Sequence, residues 1–169
     1  MNRIGIGYDL HRLVKNEILI LGGVKIKHYL GLEGHSDADV LVHALIDALL
    51  GASAMGDIGQ HFPPTDERYR GVDSLELLRL VNKMLAGERC QLSNADMVVI
   101  AEKPKLAPYI EAIRGNIARV LEVPFNRISV KATTTEGLGV CGREEGIAAQ
   151  AVVMLEKCAP PDPAGHEAK

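Results

Sequence analysis

The chain has no tryptophan, and its aromatic residues amount to two Phe and four Tyr, 4% of the total. A platform for stacking the bases of single-stranded nucleic acid needs more than that. Cysteine is also scarce. Three residues (Cys90, Cys141 and Cys158), odd in number and without a C-x-x-C pair, exclude a disulfide framework and a thiolate zinc site, and read as reduced thiols of a cytoplasmic protein. No apolar run approaches the roughly 18–20 residues that cross a bilayer, and Met1-Asn2-Arg3 leads straight into a strand-like segment rather than a signal peptide. A surplus of basic residues is missing too: 19 Lys+Arg face 22 Asp+Glu, so a broad basic face for duplex nucleic acid is not expected. What remains is an aliphatic chain of 169 residues with 47% apolar and 24% charged positions, the composition of one folded domain.

Period-2 alternation over Arg3–Asp9, paired apolar runs around Gly22-Gly23, and apolar segments at 90–101, 127–134 and 147–156 predict strands. Helical patterns fall between them. One runs from Asp37 to about Ala54, with Ser36 and Asp39 in the form of a capping box; a second is capped by Asp73; a third follows Pro104 and Pro108 and ends near Glu122. Strands alternating with helices predict an α/β (α+β) architecture: a single domain over 1–157 whose mixed sheet is covered by helices on one face. The proline-rich stretch 158–169 is expected to be a disordered polar tail.

Chemistry-bearing residues cluster at the ends of these elements. Asp9 and His11 are two apart on a strand, so their side chains share a face. His43 occupies a position of the helical apolar stripe, where a lone histidine is more often a core residue bonded to a carbonyl. Two imidazoles and one carboxylate nonetheless form a set that suits Zn²⁺ with an open position. Asp39 and Asp47, four residues either side of His43, are open between ligand, supporting partner and surface acid. Gly34-His35-Ser36-Asp37 precedes a helix, where free N–H groups attract anions. Thr133, Thr134 and Thr135 lead to Glu136 at a strand end, a hydroxyl-and-carboxylate arrangement suited to Mg²⁺ on a diphosphate. These residues point to metal-assisted chemistry on a phosphorylated small molecule.

Four blocks occur in order. They are Tyr8-Asp9-Leu10-His11-Arg12; Gly34 to Asp39 with His43; Gly56-Asp57-Ile58-Gly59 with Phe62-Pro63 and Thr65-Asp66; and Ala132 to Glu136 with Gly142-Arg143. Over Arg3–Glu156 this pattern resembles the 2-C-methyl-D-erythritol 2,4-cyclodiphosphate synthases of the non-mevalonate isoprenoid pathway, in their single-function rather than fused bifunctional form. The resemblance implies a cyclising phosphorus–oxygen lyase that converts 4-diphosphocytidyl-2-C-methyl-D-erythritol 2-phosphate to the cyclic diphosphate and CMP. It also implies a homotrimer with sheets around a three-fold axis.

By the same resemblance, Asp9, His11 and His43 match zinc ligands, and Glu136 matches the carboxylate that holds magnesium. His35 and Thr134 match residues that position the reacting phosphates, with Ser36 beside them. Asp57, Ile58 and Gly59 match a wall around the methylerythritol, with Phe62, Pro63, Pro64, Thr65 and Asp66 nearby and Asp47 near the ribose. Ala101, Glu102, Lys103, Pro104, Lys105, Leu106 and Ala107, with Thr133, match a cytidine pocket completed across a subunit interface, and Thr135 is expected among the substrate-binding residues. Val140 and Arg143 match the axial cavity where relatives hold an isoprenoid diphosphate. Val140 replaces a Phe common there, and Pro64 replaces an acid common in the sugar loop. No nucleic-acid or membrane partner is implied. The rival readings are a zinc-dependent phosphohydrolase and a non-catalytic trimer that binds metal and nucleotide.

Overall fold

The computed structural model describes residues 1–157; the proposed tail and Cys158 lie outside the described residues. A five-stranded mixed sheet carries the fold, in the order β4-β1-β7-β5-β6. Its strands are β1 (Asn2–Val14), β4 (Gly31–Leu32), β5 (Cys90–Ile100), β6 (Ile128–Thr133) and β7 (Gly146–Lys157). All neighbours are antiparallel except β5 and β6, whose parallel pairing requires the crossover that the helix between them supplies. A separate hairpin joins β2 (Leu19–Leu21) to β3 (Val24–Ile26), with Gly22 and Gly23 both at positive φ in its turn.

The helices cover one face, as the alternation of strands and helices predicts. α1 (Val40–Ala52) lies against β1 and β7, and ten of its residues are buried, so it is a central rod rather than a surface helix. α3 (Ser74–Gly87) packs on α1 and on α4 (Ile110–Leu121), adding Leu77, Leu78, Val81 and Leu85 to a core that α4 completes with Ile113, Ile117 and Leu121. Two four-residue helices, α2 (Ile58–His61) and α5 (Gly139–Gly142), occupy stretches that read as glycine-rich loops in the sequence.

The alternation of β1 has an unusual assignment. Its odd positions Gly5 and Gly7 face α1, and its even positions Ile4, Ile6, Tyr8 and Leu10 face away, where they are 73%, 64%, 59% and 41% exposed. A Cβ on Gly5 would lie 1.9 Å from the carbonyl oxygen of Ala48, and one on Gly7 2.0 Å from that of Ala44. The absence of side chains there lets helix and strand approach closely. Asp9 and His11 continue the same inward row beyond the glycines.

One sequence expectation is corrected. Ser36 does not cap α1. Asp39 does, accepting from the N–H of Val42 at 3.1 Å, because Ala38 adopts φ +57° and turns the chain between them. Asp73 caps α3 as expected, accepting from the Leu75 N–H at 2.8 Å.

Candidate functional site

Where the inward row of β1 passes the start of α1, three ligand-type atoms converge. His11 Nε2 lies 2.9 Å and His43 Nδ1 3.1 Å from Asp9 Oδ2, and the two ring nitrogens are 3.2 Å apart. Among the described residues this is the group of acids, histidines and cysteines whose atoms gather closely enough to hold one ion. Bonds of about 2.0–2.1 Å at tetrahedral angles separate ligand atoms by about 3.3 Å, close to what is found. The far nitrogens fit as well. His11 Nδ1 lies 2.7 Å from the Glu33 carbonyl oxygen, which only accepts, so Nδ1 carries the hydrogen and Nε2 is free to ligate. The residues present therefore fit a divalent cation of the kind that imidazole and carboxylate bind.

The electrostatics agree. Burial alone would raise the Asp9 carboxyl, but its close contacts with the His11 and His43 rings hold it well below the ordinary carboxylate range. Burial also opposes charge on His11, yet its contact with Asp9 lifts the ring above the usual imidazole value of 6.5. Without a cation, His11 therefore holds its proton more tightly than a free imidazole does.

The structure separates the two acids that the sequence left open. Asp39 is fully buried and holds the Gly23 N–H at 2.8 Å besides capping α1, so it fastens the β2–β3 hairpin to the helix and is not a ligand. Burial pushes its carboxyl up to about 6. Asp47, one turn beyond His43, accepts from the Ile58 N–H at 2.7 Å and so ties α2 to α1. Burial raises its carboxyl as well.

The triad forms part of the wall of a cavity of about 290 Å³. His35, Ser36, Asp47, Ile58, Gly59, Phe62 and Pro64 line it, together with Tyr69 and Leu77, which the sequence did not single out. Their signal is weak: Tyr69 lies in a polar loop, and Leu77 is one of several leucines of α3. Asp57 stands just outside as the cap of α2, accepting from the Gln60 N–H at 2.9 Å. Pro63, Thr65 and Asp66 form the following loop, in which the Asp66 carbonyl oxygen lies 3.4 Å from His35 Nε2.

The remaining predicted residues lie elsewhere. Ala101, Glu102, Pro104, Lys105, Leu106 and Ala107 face Thr133 and Thr134 across a second cavity of about 240 Å³. Lys103 points away to an ion pair with Glu144 at 2.8 Å. Glu102 organises the loop after β6, accepting from the Thr135 N–H at 2.8 Å, the Thr135 hydroxyl at 3.2 Å and the Gly137 N–H at 3.2 Å. Glu136 sits on that loop with φ +53° and accepts from the Thr134 hydroxyl at 2.8 Å. Val140 lines a hollow beside Leu10 and Arg12, and Arg143 is paired with Glu145 at 2.9 Å. These two cavities share no lining residue.

Comparison with known proteins gives this geometry a context. The model of the YgbB family matches residues 2–156. The 2-C-methyl-D-erythritol 2,4-cyclodiphosphate synthase of Alkaliphilus metalliredigens is 60% identical over 153 residues, 90% of this chain and 96% of that one. Among solved structures, the bifunctional IspDF of Campylobacter jejuni superposes with a TM-score of 0.90 at 42% identity, covering 94% of this chain and 43% of that one, so this chain spans less than half of the two-function protein. The IspF protein of Plasmodium falciparum, in a complex with CDP, superposes with a TM-score of 0.80 at 36% identity over 91% of this chain and 95% of that one. A sheet with helices on one face, a converging Asp9-His11-His43 set, and a match that runs almost end to end give one conclusion: this chain belongs to the YgbB family, alongside the 2-C-methyl-D-erythritol 2,4-cyclodiphosphate synthases.

Proposed function

We propose that this chain converts 4-diphosphocytidyl-2-C-methyl-D-erythritol 2-phosphate to 2-C-methyl-D-erythritol 2,4-cyclodiphosphate and CMP. The observation that carries the reading is the convergence of Asp9, His11 and His43 on one point of a cavity, in a chain 60% identical to a protein of that name.

The chemistry asks little of the protein in proton transfer. The attacking group is the substrate's own 2-phosphate, already anionic at neutral pH, so no strong general base is required. The obstacles are repulsion between phosphates and the entropy of bending the substrate until its ends meet. Asp9, His11 and His43 would hold a zinc-type cation and Glu136 a Mg²⁺ shared with substrate phosphates, and these ions when bound supply Lewis acidity that offsets the charge of the transferring phosphoryl group.

The chain's own groups bind and orient. His35 and Ser36 line the first cavity and offer donors to the terminal phosphate. Ile58, Gly59 and Phe62 enclose the methylerythritol and keep water from the reacting phosphorus. Ala101 to Ala107, with Thr133, hold the cytidine, a placement supported by the CDP complex of the Plasmodium falciparum relative. Fixing both ends in this way is worth about 7–11 kcal/mol for a well-oriented intramolecular reaction.

That the two cavities share no lining residue supports a substrate bound between two copies of the chain. The exposed apolar row Ile4, Ile6, Tyr8 and Leu10, with Val152 beside it on β7, supports their packing as a homotrimer about this sheet face. An isoprenoid diphosphate on the resulting axis would meet Val140 and Arg143. A cytoplasmic location completes the reading, supported by the buried free thiols of Cys90 and Cys141.

The test is ³¹P NMR of the purified protein with the cytidyl substrate, Zn²⁺ and Mg²⁺. The expected result is growth of a cyclic diphosphate matched by CMP. A linear phosphate product would favour the phosphohydrolase, and nucleotide binding without turnover would favour the non-catalytic trimer; either overturns the proposal.

A further inference from the structure

Ser74 is the first residue of α3, and it is fully buried. A hydroxyl in that position needs partners, and its surroundings dictate its orientation. Ser74 Oγ donates to Asp37 Oδ1, the Ser74 N–H donates to Asp37 Oδ2 at 3.0 Å, and Oγ also lies 3.0 Å from His43 Nε2. An ionised carboxylate only accepts, so the single hydroxyl hydrogen is committed to Asp37. Ser74 therefore presents only lone pairs to His43, and Nε2 must carry the ring hydrogen. The lone pair of Nδ1 is left for a cation held between it, Asp9 and His11, where a lone pair facing the acceptor-only carboxylate has a partner.

Ser36 obeys the same constraint. Its Oγ lies 3.0 Å from His43 Nε2 and accepts from the Ala38 N–H at 3.3 Å. Because Nε2 carries a hydrogen, the Ser36 hydroxyl has no acceptor on the ring. Its own hydrogen is directed to the cavity that Ser36 lines.

We propose that Asp37 and Ser74 are positioning residues that fix the tautomer of His43, leaving Nδ1 free for the cation and the Ser36 hydroxyl hydrogen free for a phosphate oxygen. The inference rests on the metal reading given above. It assigns a role to two residues outside the ligand set, from a different helix and a different loop. A carboxylate–hydroxyl–imidazole chain of this kind does for His43 what the Glu33 carbonyl does for His11.

The substitution Asp37→Asn makes the logic sharp. An amide keeps the shape, but its NH₂ must face either the Ser74 N–H or Ser74 Oγ. Either way the NH₂ meets a backbone N–H, that of Ser74 at 3.0 Å or that of Asp39 at 3.3 Å; the orientation that gives up the longer contact donates to Oγ and turns the hydroxyl hydrogen toward His43, which reverses the tautomer. Ser74→Ala removes an acceptor and leaves Ser36 to serve Nε2. Asp73→Ala is the control: it removes the cap of the same helix without touching His43.

The experiment measures Zn²⁺ affinity by chelator competition, and the visible spectrum after Co²⁺ loading, in the full chain and these three variants. We expect affinity to fall about 10–100-fold in Ser74→Ala and further in Asp37→Asn, with shifted Co²⁺ bands in both. Asp73→Ala should lower the unfolding midpoint and leave affinity and spectrum as in the parent. Unchanged affinity in Ser74→Ala and Asp37→Asn, or an equal loss in Asp73→Ala, overturns the inference while leaving the metal reading intact. A folded parent that binds no Zn²⁺ overturns the metal reading itself, and the tautomer chain with it.

Discussion

His43 Nδ1 lies 3.1 Å from Asp9 Oδ2 although the residues are 34 positions apart. Gly5 and Gly7 bring them together. Each presents bare backbone to α1, so the helix settles onto β1, and the next residue of the same row is Asp9, opposite His43. The site thus depends on the packing of two glycines that carry no chemistry.

Gly7→Ala is therefore expected to damage both stability and site. Its new Cβ would meet the Ala44 carbonyl oxygen at 2.0 Å, which forces the helix to move. Overpacking of this kind costs about 1–3 kcal/mol or more. Chemical denaturation should show that loss, and chelator competition a weakened metal site in the fraction that folds.

Metal binding should depend on pH through His11. Contact with Asp9 raises its pKa above 6.5, so as pH falls through that raised value the ring takes a proton and loses the lone pair that ligates. Asp9 stays ionised far below this range. Zn²⁺ affinity measured from about pH 5.5 to 8 should rise with pH, with a midpoint above the ordinary imidazole value. Metal-free protein should show the opposite trend. The His11–Asp9 pairing stabilises it fully below 6.5 and is lost as pH rises through the raised value. His43→Ala should abolish stoichiometric Zn²⁺ and lower turnover by at least about 100-fold.

Glu102 holds the loop that bears Glu136 through hydrogen bonds from Thr135 and Gly137. Glu102→Ala should raise KM for the cytidyl substrate and lower kcat by about tenfold in steady-state assays. Zn²⁺ affinity should not change, because the triad lies in the other cavity.

A charge on the outer face of β1 should break the assembly. Ile6 is 64% exposed in one chain, and Ile6→Glu would place an unpaired carboxylate in the interface proposed there. Light scattering should report monomers, turnover should be lost, and each monomer should still bind Zn²⁺.

The three converging residues and the strands that carry them were legible because both follow from periodicity. Asp9 and His11 share a strand face, and His43 interrupts an apolar helical stripe. The start of α1 was not. Ser36 has the right spacing for a cap, but Ala38 adopts a left-handed conformation that alanine does not announce, and Asp39 takes over. α2 and α5 are single turns, too short to show a period of 3.6. Ser74 reads simply as the residue after a helix cap. Its contact with His43 spans 31 positions and appears only once α3 packs on α1. Nor did spacing reveal that the residues divide between two cavities, since that division depends on where β6 sits in the sheet.

The most direct measurement is solvent labelling. The purified chain, loaded with Zn²⁺ and Mg²⁺, is supplied with the cytidyl substrate in H₂¹⁸O, and the products are weighed by mass spectrometry. Attack by the substrate's own phosphate predicts an unlabelled cyclic diphosphate and one CMP for each ring formed. Incorporation of ¹⁸O into the methylerythritol product would show that water, not the 2-phosphate, is the nucleophile, and would contradict the account.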